Sequence, residues 1–294
     1  MEKKKNDFIA QGSILAIASI LVRVMGMIYR IPMTAIIGDK GNGFYSYAYS
    51  VYTILLLLSS YSLPLAVSKM VSAKAQLGQW RNVKRVFICA IAFAIGIGTT
   101  FGLIVLIGAQ FFTRVFFHSE LAAIALRFMA PTILIMALLG VFRGFFQGLQ
   151  NTLPTAVSQI VEGLINAIMS VVFAYFLFDF GHGMDVASGT TDLGYAWGAA
   201  GGAIGTGAGA LAGLIFCFIL FVAYRKILAV NISRDKTGTQ QEYGDFFRLM
   251  LSIALPVTLS TALYNLIVLV DGSLFNNTMA SKGMEEVKER MWGA

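Results

Sequence analysis

The chain has 294 residues, of which 57% are hydrophobic and only 13% charged, with a mean hydropathy of +0.74. Soluble domains carry about 25% charged residues, so these figures exclude a water-soluble fold, and they exclude disorder as well. The net charge is +7, but the basic residues lie in short stretches between apolar runs, which argues against a nucleic-acid partner and fits a membrane protein oriented by its loops.

Seven apolar stretches are each long enough to cross a bilayer, which takes about 20 helical residues. They run over 12–36, 44–68, 86–110, 122–142, 155–178, 199–224 and 247–270. The expectation is an all-α integral membrane protein with about seven transmembrane helices.

Lys3, Lys4 and Lys5 precede the first span. That span is too long for a signal peptide and no cleavage site follows it, so it reads as a retained helix. It contains Arg23 and Arg30. Seven residues of helix put both on one face, about 10 Å apart. The rest of the face is Gly12, Ala16, Ser19, Gly26 and Thr34. An arginine near the bilayer centre costs roughly 2.5–3.5 kcal/mol on insertion scales. The stripe should therefore line a watery cavity or pack against protein. Arg30 is near enough to the outer end to snorkel instead, whereas Arg23 is too central.

Gly38–Gly43 reads as a tight external loop before the second span, and Tyr45, Tyr49 and Tyr52 as an interfacial aromatic belt on that span. The fourth span carries Arg127, which either snorkels or lines a cavity, and Pro131. In the fifth span Glu162 shares a helix face with Gln159 and Asn166. Such a carboxylate either pairs with an intramembrane arginine or binds a coupling cation or proton. Gly201, Gly205, Gly209 and Gly213 recur every four residues in the sixth span, a face for close helix packing. Pro256 in the seventh span, like Pro131, allows a kink. Cys89 and Cys217 lie within apolar runs and read as small buried hydrophobes.

The N-terminus and the second, fourth and sixth loops hold 14 Lys and Arg, Arg143 among them, against 5 on the opposite side. That bias puts the N-terminus in the cytoplasm. The external loop 179–197 agrees, carrying Asp179, Asp185 and Asp192 and no basic residue. The odd span count and a polar end that looks like the start of another helix suggest a chain that continues. The expected organisation is a six-helix lobe over 1–228, a cytoplasmic loop over 229–246, and over 247–294 the first helix of a second, truncated lobe.

Enzyme signatures are lacking: there is no nucleophile elbow, and 38–43 is not a P-loop. A metal at His182 with Asp179 and Asp185 competes with a plain hydrated loop, which the Gly-rich context favours. No metal or cofactor is expected.

Two segments carry a family resemblance. Leu63-Pro64-Leu65-Ala66-Val67-Ser68-Lys69 resembles a signature of bacterial polysaccharide-export flippases, and so does the longer run from Arg143-Gly144-Phe145-Phe146-Gln147-Gly148 through Asn151-Thr152-Leu153-Pro154-Thr155 to Glu162. The chain is similar to the stage V sporulation protein B-like branch of the MOP superfamily, related to the MurJ lipid II flippases and more distantly to MATE exporters. The resemblance implies two lobes of six helices around a central cavity, of which this chain is the N-terminal lobe and one helix more. It implies transport of undecaprenyl-pyrophosphate-linked sugars across the bacterial cytoplasmic membrane by alternating access. It further implies that Arg23 and Arg30 meet the pyrophosphate; Arg127, from its place in the fourth span, is the third candidate for that headgroup. The spacing of Arg23 and Arg30 is seven where MurJ proteins look nearer six, and 44–67 has no counterpart of their second-helix arginine. The rival readings are a MATE-like exporter of small cations, which should present acids rather than arginines, and a non-transporting scaffold for envelope or spore-coat assembly, which needs no mid-membrane Arg23.

Overall fold

The computed structural model describes residues 2–281, with side chains from Gly12 onward except at scattered positions beyond Thr261. The polar end at 282–294 lies outside the described residues. Seven helices follow in chain order: α1 (Glu2–Ser60), α2 (Leu63–Gln76), α3 (Trp80–Phe117), α4 (Ala122–Gly148), α5 (Leu153–Ser188), α6 (Leu193–Ser233) and α7 (Tyr243–Ser281). No strand occurs among the described residues.

α1 is a hairpin. Sixteen residues of straight helix would hold Arg30 and Ser46 about 24 Å apart, yet Arg30 Nη2 lies 3.4 Å from Ser46 Oγ. The reversal falls on Gly38, at φ 64° and ψ 177°, a conformation that only glycine adopts without strain. The external loop expected at 38–43 is therefore absent: residues 39–60 are helical from the turn onward. The second predicted span breaks at Tyr61–Ser62. α2 restarts there with Pro64 in its first turn, where a missing N–H costs nothing.

Five helical stretches among the described residues are long and apolar enough to cross a membrane. The first, Gly12–Gln76, contains the hairpin and makes two passes. α7 carries the seventh apolar run, with Pro256 inside it.

The loop expected at 179–197 shrinks to 189–192, because α5 reaches Ser188 and α6 begins at Leu193. Asp185 is the cause. Its buried carboxylate accepts hydrogen bonds from Thr190 Oγ1 at 2.6 Å, Leu193 N at 3.0 Å and Gly194 N at 2.8 Å. It thus supplies acceptors to N–H groups that a helix start leaves unpaired. Those bonds also occupy the carboxylate that a metal at His182 would have needed.

At the opposite end, the connection between α6 and α7 is 234–242. Asp235 accepts from Arg81 N at 3.0 Å and from Thr237 N and Oγ1. Asn82 donates to Thr239 O and accepts from Gln241 N, and Arg85 donates to Gln241 O and Gln240 Oε1. The connection lies against the start of α3 rather than looping free.

Lipid is as apolar as leucine, so these helices gain little by hiding leucine from it and associate through close contact instead. Two glycine seams provide that contact. Along α6, a Cβ at Gly201 or Gly205 would strike the α5 backbone at Phe173–Ala174 or Ser170, and one at Gly209 would come within 2.6 Å of Glu162 O. Along α4, Gly140, Gly144 and Gly148 face α2, and a Cβ at Gly144 would lie 2.6 Å from Pro64 O. Between them Phe87, Phe145 and Phe221 join α3, α4 and α6, with ring centroids 4.4 to 5.4 Å apart. Ile31, Ile107 and Phe176 point outward, as a lipid-facing surface requires.

Candidate functional site

The polar stripe of α1 lies to one side of that helix's packing face. Ala18 and Met33 are buried, and Val22 and Met25 meet Gly163 of α5. Arg23 and Arg30 stand about a quarter-turn round from these and are exposed, as are Gly12 and Ala16. Among the described residues neither arginine has a carboxylate within ion-pair distance. Arg30 donates to Ser46, on the returning arm of its own hairpin. Arg127 is also exposed and outside any described ion pair, on the half of α4 nearest the Gly38 turn. No described contact brings it to Arg23 or Arg30.

The fifth-span residues have separate partners. Glu162 Oε2 accepts from Arg143 Nη2 at 2.7 Å, and Arg143 Nε donates to Ser158 Oγ at 2.8 Å. Asn166 Oδ1 accepts from Ser170 Oγ, which also lies 3.2 Å from Gly202 O. Gln159 Oε1 is buried without a partner among the described residues. Gly209 and Gly213 press on this region from α6. Arg143 is not in a loop: α4 continues to Gly148 and Arg143 is only 9% exposed. Removing it from the loop tally leaves the charge bias in the same direction.

The sequence held a signal for this pair. Arg143 precedes and Glu162 follows the short turn at Leu149–Thr152, so a chain that folds back there brings two opposite charges within reach of each other. The repeat Gly140-x3-Gly144-x3-Gly148 likewise marks α4 as helical past residue 142.

The tyrosines of the second arm are not an interfacial belt. Tyr45 and Tyr52 are buried, at 7% and 3% exposure, and Tyr45 Oη lies 3.2 Å from Thr206 Oγ1 on α6. Tyr49 alone is open, at 44%. Its ring centroid is 5.8 Å from that of Tyr45 and 5.9 Å from that of Tyr52. Eleven residues past Gly38, Tyr49 lies about 16 Å below the turn, near mid-membrane depth and too deep for a belt.

Comparison with known proteins gives one family and several relatives. The model of a family described as polysaccharide biosynthesis protein matches residues 8–284. Stage V sporulation protein B of Bacillus subtilis (strain 168) is 25% identical over 287 residues, covering 96% of this chain and 52% of that protein. Lipid II flippase MurJ of the same organism is 26% identical over 290 residues, covering 95% and 51%. The chain thus spans about half the length of these relatives. Among solved structures, a MOP superfamily transporter from Pyrococcus furiosus superposes with a TM-score of 0.64 at 15% identity, over 96% of this chain and 61% of that one. A MATE protein in complex with MaD3S gives 0.62 at 15% identity, over 94% and 58%. At that identity the likeness is one of fold.

Proposed function

The chain belongs to the polysaccharide biosynthesis protein family, and from that premise we propose that it serves a transporter flipping undecaprenyl-pyrophosphate-linked oligosaccharide or peptidoglycan precursor across the cytoplasmic membrane. Residues 1–228 belong to its first lobe and 247–294 to the beginning of a second, and the cytoplasmic connection expected over 229–246 narrows to 234–242 because α6 runs to Ser233 and α7 starts at Tyr243. The N-terminus is cytoplasmic, following the loop charge bias.

The observation that carries this reading is the open α1 stripe. A pyrophosphate cannot enter hydrocarbon unaccompanied, because burying an unpaired charge costs many times thermal energy. Guanidinium groups answer phosphate with paired donors. Arg23 and Arg30 are exposed and unpaired with acid among the described residues, so their donors remain available. Arg127 adds positive charge nearer the Gly38 end. Cargo held by its headgroup leaves its lipid tail in the bilayer while the lobes exchange access.

A MATE-like exporter of cations would need a free acid in the cavity. Glu162 has Arg143 as its counter-ion, which favours the anionic cargo. Coupling through a cation or proton at Glu162 requires that pair to open, and transport by Glu162→Gln should then lose its dependence on pH or membrane potential.

The test is binding of undecaprenyl pyrophosphate by the full-length protein, read by native mass spectrometry. A charge-assisted contact is worth roughly 1.5–3 kcal/mol, so Arg23→Ala should bind at least about tenfold more weakly. Arg23→Lys, which keeps charge but loses the fork, should fall between. Undiminished binding by well-folded Arg23→Ala would remove the headgroup role.

A further inference from the structure

Tyr49 is the one aromatic of its ladder that is left open, and its surroundings are polar. Tyr29, Glu162 and Arg30 all lie within electrostatic range of it. Ser46, one turn before it, holds Arg30. The ring is flanked by Tyr45 one turn before it and Tyr52 one turn after, both buried, so its position is held while 44% of the residue stays exposed. Glu162 uses Oε2 for Arg143, and its Oε1 has no described partner. A packing residue would not be 44% exposed, and the Arg30 guanidinium held by Ser46 one turn away gives this open surface a charged neighbour that lipid would not.

We propose that the exposed ring of Tyr49 is a carbohydrate platform, on which the sugar next to the pyrophosphate stacks while Arg30 takes the phosphate and Glu162 Oε1 accepts a sugar hydroxyl. This rests on the headgroup reading above and adds the part of the cargo that the arginines cannot recognise. The chemistry is general. An aromatic face carries negative charge density, which attracts the polarised C–H bonds along the apolar face of a pyranose. The hydroxyls at the ring's rim need acceptors and donors, which the neighbouring carboxylate and guanidinium provide. Two buried rings behind Tyr49 remove the entropy cost of ordering it on binding. The inference concerns a neutral sugar ring and carries no preference among sugars.

The experiment compares two probes on the full-length protein: undecaprenyl pyrophosphate, and the same lipid bearing one N-acetylglucosamine. Wild type should bind the glycosylated probe more tightly. Tyr49→Ala and Tyr49→Leu should weaken that probe about three- to tenfold, the scale of one aromatic contact, and leave the bare pyrophosphate unchanged. Tyr49→Phe keeps the ring and should stay within about twofold of wild type. Equal loss for both probes, or equal wild-type affinity for both, overturns the platform. Tyr49→Leu matching wild type on the glycosylated probe overturns it too, since bulk without a π face then suffices. Arg23→Ala separates the two readings: it should weaken both probes alike, and its failure to do so removes the arginine role without touching the difference that Tyr49 makes between probes.

Discussion

Arg143 and Arg23 occupy nearly the same level of the bundle and opposite circumstances. Glu162 bonds the first, while the next residue, Gly163, packs on Val22 beside the second. Arg143 is buried at 9% exposure, with a carboxylate and a serine hydroxyl as acceptors. Arg23 is open, with no carboxylate near it among the described residues. The α4–α5–α6 seam is thus closed on its own charges, and the α1 stripe presents charges that nothing in the described chain neutralises. A mid-membrane arginine is informative about cargo only when its acceptor is missing.

The comparison breaks most severely at the closed pair. Arg143→Ala leaves Glu162, a quarter exposed, without its counter-ion, and the loss of such a charge-assisted bond costs about 1.5–3 kcal/mol. Thermal unfolding in detergent should show it, and Arg143→Ala combined with Glu162→Ala should recover part of the loss as a coupling energy. Arg23→Ala should leave that midpoint unmoved while weakening headgroup binding at least about tenfold. A large drop in stability there would place Arg23 in the same class as Arg143.

Glycines sharpen the contrast at the next scale. Gly205→Ala forces a methyl into Ser170 of α5 and should cost about 1–3 kcal/mol. Gly26, on the α1 stripe, has open space around it. Gly26→Ala should be neutral or stabilise by up to about 1 kcal/mol, because alanine favours helix. The same substitution then changes sign between the two regions, and equal effects in unfolding assays would erase the distinction.

Tyr45→Phe removes the contact with Thr206 that ties the second arm to α6, and about 1 kcal/mol of stability should go with it. Binding of bare undecaprenyl pyrophosphate should not change.

The smallest effect belongs to the α6–α7 connection. The hydrogen bond from Arg81 N, with those from Thr237, holds the Asp235 carboxyl down to about 2. A carboxylate with a lowered pKa contributes above the ordinary value, near 4, and that contribution goes as pH falls through about 2. Hydrogen exchange at the Arg81 amide should therefore be protected at pH 5 in wild type and exposed in Asp235→Ala. The difference between the two proteins should vanish near pH 2.

What the sequence made legible follows from what each signal measures. Apolar run length gives the number of passes, because the bilayer sets a length that composition alone satisfies. It cannot locate helix ends. Asp185 extends α5 and α6 by bonding across ten residues, and Gly38 turns a helix in a place where a Gly-rich stretch reads as a loop. An arginine after an apolar run, such as Arg143, reads as a loop charge unless the helix is known to continue past it. A helical face in the sequence does not say which way the helix is rotated, and Tyr45 and Tyr52 turn inward against α6 and the core rather than toward the interface. The α1 stripe was legible as a stripe, since seven-residue spacing fixes a face whatever the rotation.

The one-residue turn at Gly38 decides how the orientation of this chain can be measured. With helix on both sides, Asn42 is buried at 4% exposure and offers no surface to an impermeant thiol reagent. Asn82, at 0%, is equally hidden under the α6–α7 connection. A cysteine at either site would stay unlabelled whichever way the protein faces. Ser188 and Lys236 are exposed at opposite ends of α6, beyond its first and last turns. Cysteines there, probed in intact cells and again after lysis, report sidedness without disturbing the hairpin, and with the N-terminus inside only the one at 188 reacts before lysis.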